Sequence, residues 1–355
     1  MKQALLRCWY GRCPPLFLPI HLLLLVPLSV MFDLLVRLRH VLYRLGVFRV
    51  ERMPVPVIVV GNLTVGGSGK TPLTIALVQS LRQAGFTPGI VSRGYGGSAQ
   101  AAMPVRAESD PAVVGDEPVL MARRAVCPVW IGRKRVEAAR QLLAFHPEVD
   151  VLIADDGLQH LALARDVELV VVDAERGFGN RWLLPAGPLR EPLARLSRVN
   201  AVVINGEMPA LLDGLPAACP KFKMQISGAR FVNLSDPAQC VAAVHFTGQV
   251  GAEVPHAIAG IGHPERFFNQ LAKLGIKSIP HAFEDHHAYV ETDLPAGNVL
   301  MTEKDAVKCA RLGASPARNN LWFLAVDAVV DAGLQPLITH LLNLRKRTHD
   351  GSKTA

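Results

Sequence analysis

A lysine and a threonine closing a glycine-rich run are the residues with the clearest chemistry. Gly66-Gly67-Ser68-Gly69-Lys70-Thr71 sets several backbone N–H groups beside one ammonium and one hydroxyl. That set suits a nucleoside triphosphate. Glycines let amides approach phosphate oxygens, Lys70 carries positive charge to the β- and γ-phosphates, and Thr71 offers its hydroxyl to Mg2+. The usual G-x-x-x-x-G-K-[ST] spacing places a glycine where this chain has Thr64, so Gly66 and Gly67 supply the flexibility from inside the loop. A second signal is Asp155-Asp156, closing the apolar run from Val149 and followed by Gly157-Leu158-Gln159-His160. Paired carboxylates at a strand end hold Mg2+ directly or through water.

Other polar groups fall in turns. Ser92-Arg93-Gly94-Tyr95-Gly96-Gly97 offers Arg93 to a phosphate. Gly115-Asp116-Glu117-Pro118 holds two carboxylates ahead of a helix, and either can accept a hydroxyl proton. A loop containing Gly177, Gly179, Asn180, Pro185, Gly187 and Pro188 ends on Arg190 and Glu191, candidates for phosphate and metal contacts. His286-His287, read alone, is a surface turn.

These groups need rigid supports. Val55–Val60 reads as a buried parallel strand, and Leu73–Gln83 as the helix after the glycine loop. Pro88–Val91, Val149–Asp156, Glu168–Asp173 and Val202–Ile204 read as further strands, each delivering its loop to one sheet edge. After about residue 220 the character changes. Ala257–Gly262 is a short strand-like run, Pro264–Leu274 an amphipathic helix stopped by Gly275, and Met301–Asp305 another strand end.

The N-terminus is different in kind. From Pro14 to Phe32 only His21 and Ser29 are clearly polar, close to the ~20 residues that cross a bilayer core. Pro15, Pro19 and Pro27 favour kinks. Met31-Phe32-Asp33-Leu34-Leu35 offers no small-x-small cleavage site, so an uncleaved anchor is expected. Arg37, Arg39, Arg44, Arg49 and Arg52 follow the run and outnumber Lys2, Arg7 and Arg12 before it, which puts the rest of the chain in the cytosol. Leu34–Val50 suits a helix on anionic headgroups, so spanning and lying flat both remain open.

The 355 residues carry a net charge of +8, which calls for an acidic partner: anionic lipid or nucleotide. Nucleic acid is disfavoured, because no basic block is interleaved with aromatics and no zinc-finger spacing occurs. Cys8, Cys13, Cys127, Cys219, Cys240 and Cys309 form no CxxC pair, so neither a disulfide framework nor a zinc site is expected. A regulatory GTPase would need Asn-Lys-x-Asp, and Thr302-Glu303-Lys304-Asp305 does not supply it. A non-catalytic ATP-dependent scaffold would need no candidate base.

Together these motifs resemble the tetraacyldisaccharide 4′-kinase family. Asp-Asp-Gly-x-Gln-His at 155–160, Leu-Pro-Ala-Gly-Pro-Leu-Arg-Glu at 184–191 and Thr-Glu-Lys-Asp-Ala-Val-Lys at 302–308 carry the likeness, with Gly61–Pro72, Ser92–Gly96, Gly115–Pro118, Gly260–Phe268 and Asp285-His286 in family order. The resemblance implies an α/β fold: a P-loop NTPase-type parallel sheet domain with a second, smaller α/β domain and an N-terminal membrane-associated helix. In this chain that divides as 1–50 membrane-associated, 51–225 P-loop domain, 226–340 smaller domain and 341–355 a frayed basic tail. It implies γ-phosphate transfer from ATP, with Mg2+, to the 4′-hydroxyl of an acylated glucosamine disaccharide 1-phosphate, at the cytoplasmic side of the inner membrane. It also implies roles: Lys70 and Thr71 on ATP and Mg2+, Asp116 as base paired with His286, and Asp155, Asp156, Gln159 and Glu191 as the acidic, metal-linked set. His160 and Arg190 would sit near the transferring phosphate.

Overall fold

The computed structural model describes residues 2–207, 215–247, 253–312 and 320–351. Its described strands form one sheet: β1 (Val57–Gly61), β2 (Pro88–Ser92), β3 (Met103–Val105), β4 (Val129–Ile131), β5 (Val151–Asp155), β6 (Val167–Asp173), β7 (Ala201–Asn205), β8 (Lys221–Asn233), β9 (Cys240–Ala242), β10 (His256–Ala259), β11 (Ile279–Ala282), β12 (Val299–Thr302) and β13 (Leu321–Val330). The order is β11-β10-β12-β13-β8-β7-β6-β1-β5-β2-β4-β3, with β9 beside β8.

The helices are α1 (Lys2–Tyr10), α2 (Leu18–Ile20), α3 (Val26–Arg44), α4 (Lys70–Gln83), α5 (Pro111–Val114), α6 (Asp116–Arg124), α7 (Arg135–Phe145), α8 (Pro264–Lys273), α9 (Glu303–Cys309) and α10 (Leu334–Gly351). Strands β1, β5, β6 and β7 are buried along their whole length, as their mainly apolar runs require when helices cover both faces. On one face α4, α6 and α10 contribute Leu73, Val119 and Ile338 to the core; on the other α7 contributes Leu142, and Phe32 and Val36 of α3 pack in beside it.

The sheet consists of two mainly parallel halves, with β3 and β9 antiparallel at their margins, joined by an antiparallel seam between β8 and β13. At the end of β7, Asn205 pairs with Met224 of β8, and Met224 pairs with Val330. At the end of β12, Thr302 pairs with Leu324. The carboxyl ends of the two halves therefore point toward each other along the stretch of β13 between Leu324 and Val330. A crevice opens there, where α/β sheets place their ligands. The boundary expected at 225/226 falls inside β8, a strand the two halves share.

The N-terminal apolar run and the arginine-bearing segment after it form one helix, Leu18–Arg44, of 27 residues. A π-helical turn, His21–Leu25, takes up the irregularity ahead of Pro27. The expected tail differs: α10 stays helical to Gly351, and Arg345 is held by Asp166 and the Met53 carbonyl. Lys353 lies outside the described residues. The cysteine expectation is also corrected, since Cys8 and Cys13 are joined by a disulfide; the short turn between α1 and α2 brings them together.

The Thr302–Lys308 motif builds a buried knot. Thr302 caps α9 by accepting from the Asp305 amide, and fully buried Asp305 accepts from the Gly260 amide and the Tyr289 hydroxyl and pairs with Lys308 at 2.8 Å. Removing one partner of such a network strands the rest, at about 3 kcal/mol. Asp305→Ala should lower the unfolding free energy measured in urea by that much, and with it the midpoint, and Asp305→Asn, which keeps an acceptor, by less. Equal midpoints for wild type and the alanine variant would refute the structural role.

Candidate active site

Strand β1 runs into the glycine loop, and α4 begins at Lys70, one turn earlier than its apolar pattern suggested. Gly69 caps the helix at φ +94°, and a Cβ there would meet the Asn205 side chain at 2.6 Å, so both conformation and space demand glycine. The Ser68 carbonyl accepts from Asn205 Nδ2 at 3.0 Å, tying the loop to the end of β7. Lys70 Nζ lies 3.2 Å from Asn62 Oδ1 and 3.6 Å from Asp156 Oδ1. Arg190 forks onto the same carboxylate at 3.0 and 3.2 Å, and its guanidinium also reaches the Asn62 side chain.

The two adjacent carboxylates are separated in character. Asp155 is buried and accepts from Thr74 Oγ1 at 3.2 Å; burial, with the charges of Glu117 and Asp156, pushes its pKa up to about 7. Asp156 is also pushed up by burial, but Lys70 and Arg190 outweigh that and hold it well below the usual carboxylate range. Asp156 sits at φ +46° and His286 at φ +62°, two non-glycine residues in the left-handed region. Such conformations persist where surrounding contacts over-determine them.

Across the crevice, Asp116 opens α6. Gly115 before it has φ +92°, and a Cβ there would lie 2.6 Å from the Tyr95 carbonyl; glycine lets the Gly94–Gly97 turn seat against the helix start. That start favours a carboxylate. Asp116 is buried, and its Oδ2 accepts from His286 Nδ1 at 3.0 Å while Lys304 Nζ stands 3.8 Å away. Burial raises the Asp116 pKa, yet the His286 hydrogen bond and the Lys304 charge outweigh it, leaving it below its ordinary value. The same hydrogen bond raises His286 above its ordinary value against burial and Lys304. Lys304 also meets Glu117 at 3.3 Å and Asp285 at 3.2 Å, and these carboxylates raise its pKa against the cost of burial. His287 instead pairs with Asp293 in its own turn.

One cavity of about 1140 Å³ is lined by Gly66, Gly67, Ser68, Gly69, Lys70 and Thr71, by Asp155, Asp156, Arg93 and Arg190, and by His286 and Lys304 from the other half. Gln159, Glu191 and His160 stand behind this wall rather than on it. Gln159 Nε2 donates to Glu191 Oε1 at 3.0 Å and lies 3.4 Å from the Asn62 carbonyl; Glu191 faces His40 and Arg195, each at 3.4 Å. Burial and the nearby Arg135 and Arg165 charges lower His160 to about 4, so it is neutral. The loop before Glu191 is the seat of the N-terminal helices: Trp9 Nε1 donates to the Pro185 carbonyl, His21 bonds the Ala186 carbonyl and Ser29 Oγ donates to the Leu183 carbonyl.

The donors fit Mg2+. No group of three His, Cys, Asp or Glu residues capable of holding a metal occurs among the described residues. Mg2+ prefers one or two carboxylates completed by phosphate and water, and Thr71, Asp155 and Asp156 line one cavity as hard oxygen donors. Ser68 Oγ is buried without a partner in the same loop. Lys304 and Asn62 were not marked by sequence pattern. Asn62 had no signal beyond its place after β1, and Lys304 lay inside the 302–308 motif, which carried the family likeness without a role for its lysine.

The protein-family model for tetraacyldisaccharide-1-P 4′-kinase matches residues 21–343. The tetraacyldisaccharide 4′-kinase of Aromatoleum aromaticum is 50% identical over 335 residues, covering 94% of this chain and 95% of that one. Its counterpart from Azoarcus sp. is 51% identical over 329 residues, covering 92% and 91%. The crystal structure of LpxK from Aquifex aeolicus in complex with ATP superposes with a TM-score of 0.74 at 29% identity, covering 89% of this chain and 98% of that one.

Proposed function

The chain belongs to the tetraacyldisaccharide 4′-kinase family, and from that membership we propose which residues carry each part of the reaction. It is an ATP-dependent kinase of lipid A synthesis, transferring the γ-phosphate of ATP to the 4′-hydroxyl of a tetraacyldisaccharide 1-phosphate. The sugar oxygen bonds to the γ-phosphorus, the bond to the β,γ-bridging oxygen breaks, and ADP leaves with that oxygen. The hydroxyl proton goes to Asp116. The single observation carrying this assignment is the Asp116–His286 pair at 3.0 Å, with His286 lining the cavity that also holds Lys70 and Thr71.

The glycine loop and Lys70 bind the β- and γ-phosphates, and Arg190 turns from Asp156 toward the transferring group. Thr71 and Asp156, with Asp155 beside them, would hold Mg2+, which would supply positive charge to the phosphates. Gln159 and Glu191 act one layer back, fixing Asn62 and through it Lys70 and Arg190. Asp116 is a weak base at its lowered pKa. A loose phosphoryl transfer tolerates that, because the nucleophile needs alignment more than early deprotonation. Radiolabelled transfer from ATP to the acylated disaccharide 1-phosphate tests the reading; ATP consumption indifferent to the acceptor would make the chain an ATPase instead.

We also infer attachment to the cytosolic leaflet of the inner membrane. The helix Leu18–Arg44 exposes Leu23 (80%), Leu34 (62%) and Leu35 (56%), while His21, Ser29, Arg39 and His40 bind the body. From His21 to His40 is about 28 Å of helix held against the protein. A helix tied along that length lies in the interface with its apolar face in lipid. Deleting residues 1–32 should release much of the protein from membranes, and high salt should release more of the remainder. Fractionation of the full-length chain wholly into the soluble phase would sink the idea.

A further inference from the structure

At the C-terminal end of α3 a separate open cavity of about 400 Å³ shares no lining residue with the catalytic crevice. Five arginines line it, Arg44, Arg52, Arg165, Arg195 and Arg198, against one carboxylate, Glu168. Glu168 is already shared between Arg165 and Arg195, and Arg52 pairs with Asp166 at 3.2 Å. Arg44 and Arg198 have no ion pair or hydrogen bond among the described residues, and both are exposed. Guanidiniums crowded around a hollow repel one another unless an anion sits between them, and their forked donors match phosphate oxygens.

The rim indicates where that phosphate comes from. The cavity abuts the turn after α3, where Leu45 (72%), Val47 (63%) and Phe48 (44%) are exposed and continue the apolar face of the helix. A free phosphate has no use for such a rim; a lipid has. We propose that this cavity binds the phosphate headgroup of an anionic membrane phospholipid, with its acyl chains over Leu45, Val47 and Phe48. The site lies apart from the catalytic crevice and rests only on the membrane-facing reading of α3. A lipid held there clamps the end of α3 to Arg195 and Arg198, next to the Glu191 that backs the catalytic wall.

Flotation of the full-length detergent-purified enzyme with vesicles tests it. Vesicles of phosphatidylcholine alone and with phosphatidylglycerol are compared at about 0.5 M salt, where diffuse surface attraction is screened within a few ångströms. Wild type should still favour the anionic vesicles by about tenfold. Arg44→Ala/Arg198→Ala should lose that preference while keeping its melting temperature and its kinase activity in detergent. Arg37→Ala/Arg49→Ala, which removes the same charge outside the cavity, should retain it. If the two double variants behave alike, the attraction is diffuse and the cavity is no site. If inorganic phosphate at matched ionic strength abolishes the wild-type preference, the occupant is free phosphate and the lipid assignment fails. If wild type floats with neither vesicle, the membrane-facing helix itself fails, separately from the kinase reading.

Discussion

Lys70→Ala is expected to lower kcat by about 10³-fold or more while leaving the protein folded. The ammonium rests between Asn62 and Asp156 at 3.2 and 3.6 Å, on the wall of the cavity that the glycine loop also lines. Charge builds on the oxygens between the β- and γ-phosphorus as the bond to ADP breaks, so a cation there stabilises the transition state more than bound ATP. The stability cost should be small, because Arg190 still neutralises Asp156 when Lys70 is gone. Lys70→Arg should not restore activity: the planar fork is larger, and Arg190 already occupies the flank. The measurement is single-turnover phosphate transfer with an unfolding midpoint as control. Near wild-type turnover in the alanine variant would remove the phosphate-loop reading.

Local pattern made one half of this site readable, and the other half came only through the family resemblance. Glycine spacing, Lys70, Thr71 and the Asp155-Asp156 strand end are local patterns, and strands β1 and β5 deliver them to neighbouring positions because consecutive βαβ units place their loops at one edge. Residue types alone could not bring Asp116 to His286, which lie 170 positions apart. That contact depends on the β8–β13 seam, an antiparallel ribbon that turns the second half to face the first. The boundary drawn at 225/226 cuts β8, whose first residues pair with β7 and whose later length pairs with β13, a long-range partnership that no local pattern announces. The Gly177–Glu191 loop shows the same limit. Its position after a strand suggested a substrate loop, yet the carbonyls of Pro185, Ala186 and Leu183 serve Trp9, His21 and Ser29, a partnership with no local signature.

A double-mutant cycle on Asp116 and His286 should show strong non-additivity. Each single alanine variant is expected to lower kcat by about 10²- to 10⁴-fold with little change in KM for ATP, since neither residue lies in the glycine loop. His286 Nδ1–H holds the Asp116 carboxylate at 3.0 Å, so losing either partner misplaces or deletes the same proton acceptor. The double variant should then be only slightly worse than the worse single one, as for residues that act as a unit. The pH profile gives an independent sign. Asp116 lies below its ordinary value, so it is ionised throughout the neutral range and contributes no acid limb there. His286 lies above its ordinary 6.5, held by the Asp116 hydrogen bond. If the carboxylate–imidazolium form is the working one, activity falls as pH rises through the His286 pKa, and Asp116→Asn, lacking the charge, moves that limb to lower pH. Lys304 stays charged in every case and keeps Asp116 ionised, so its removal should raise the carboxylate pKa rather than mimic loss of the base. Because the two partners stand on opposite halves of the sheet, the pair is held together by the β8–β13 seam that also forms the crevice. Losses that multiply in full in the double variant, with an alkaline limb unmoved by Asp116→Asn, would show two independent residues and end the dyad.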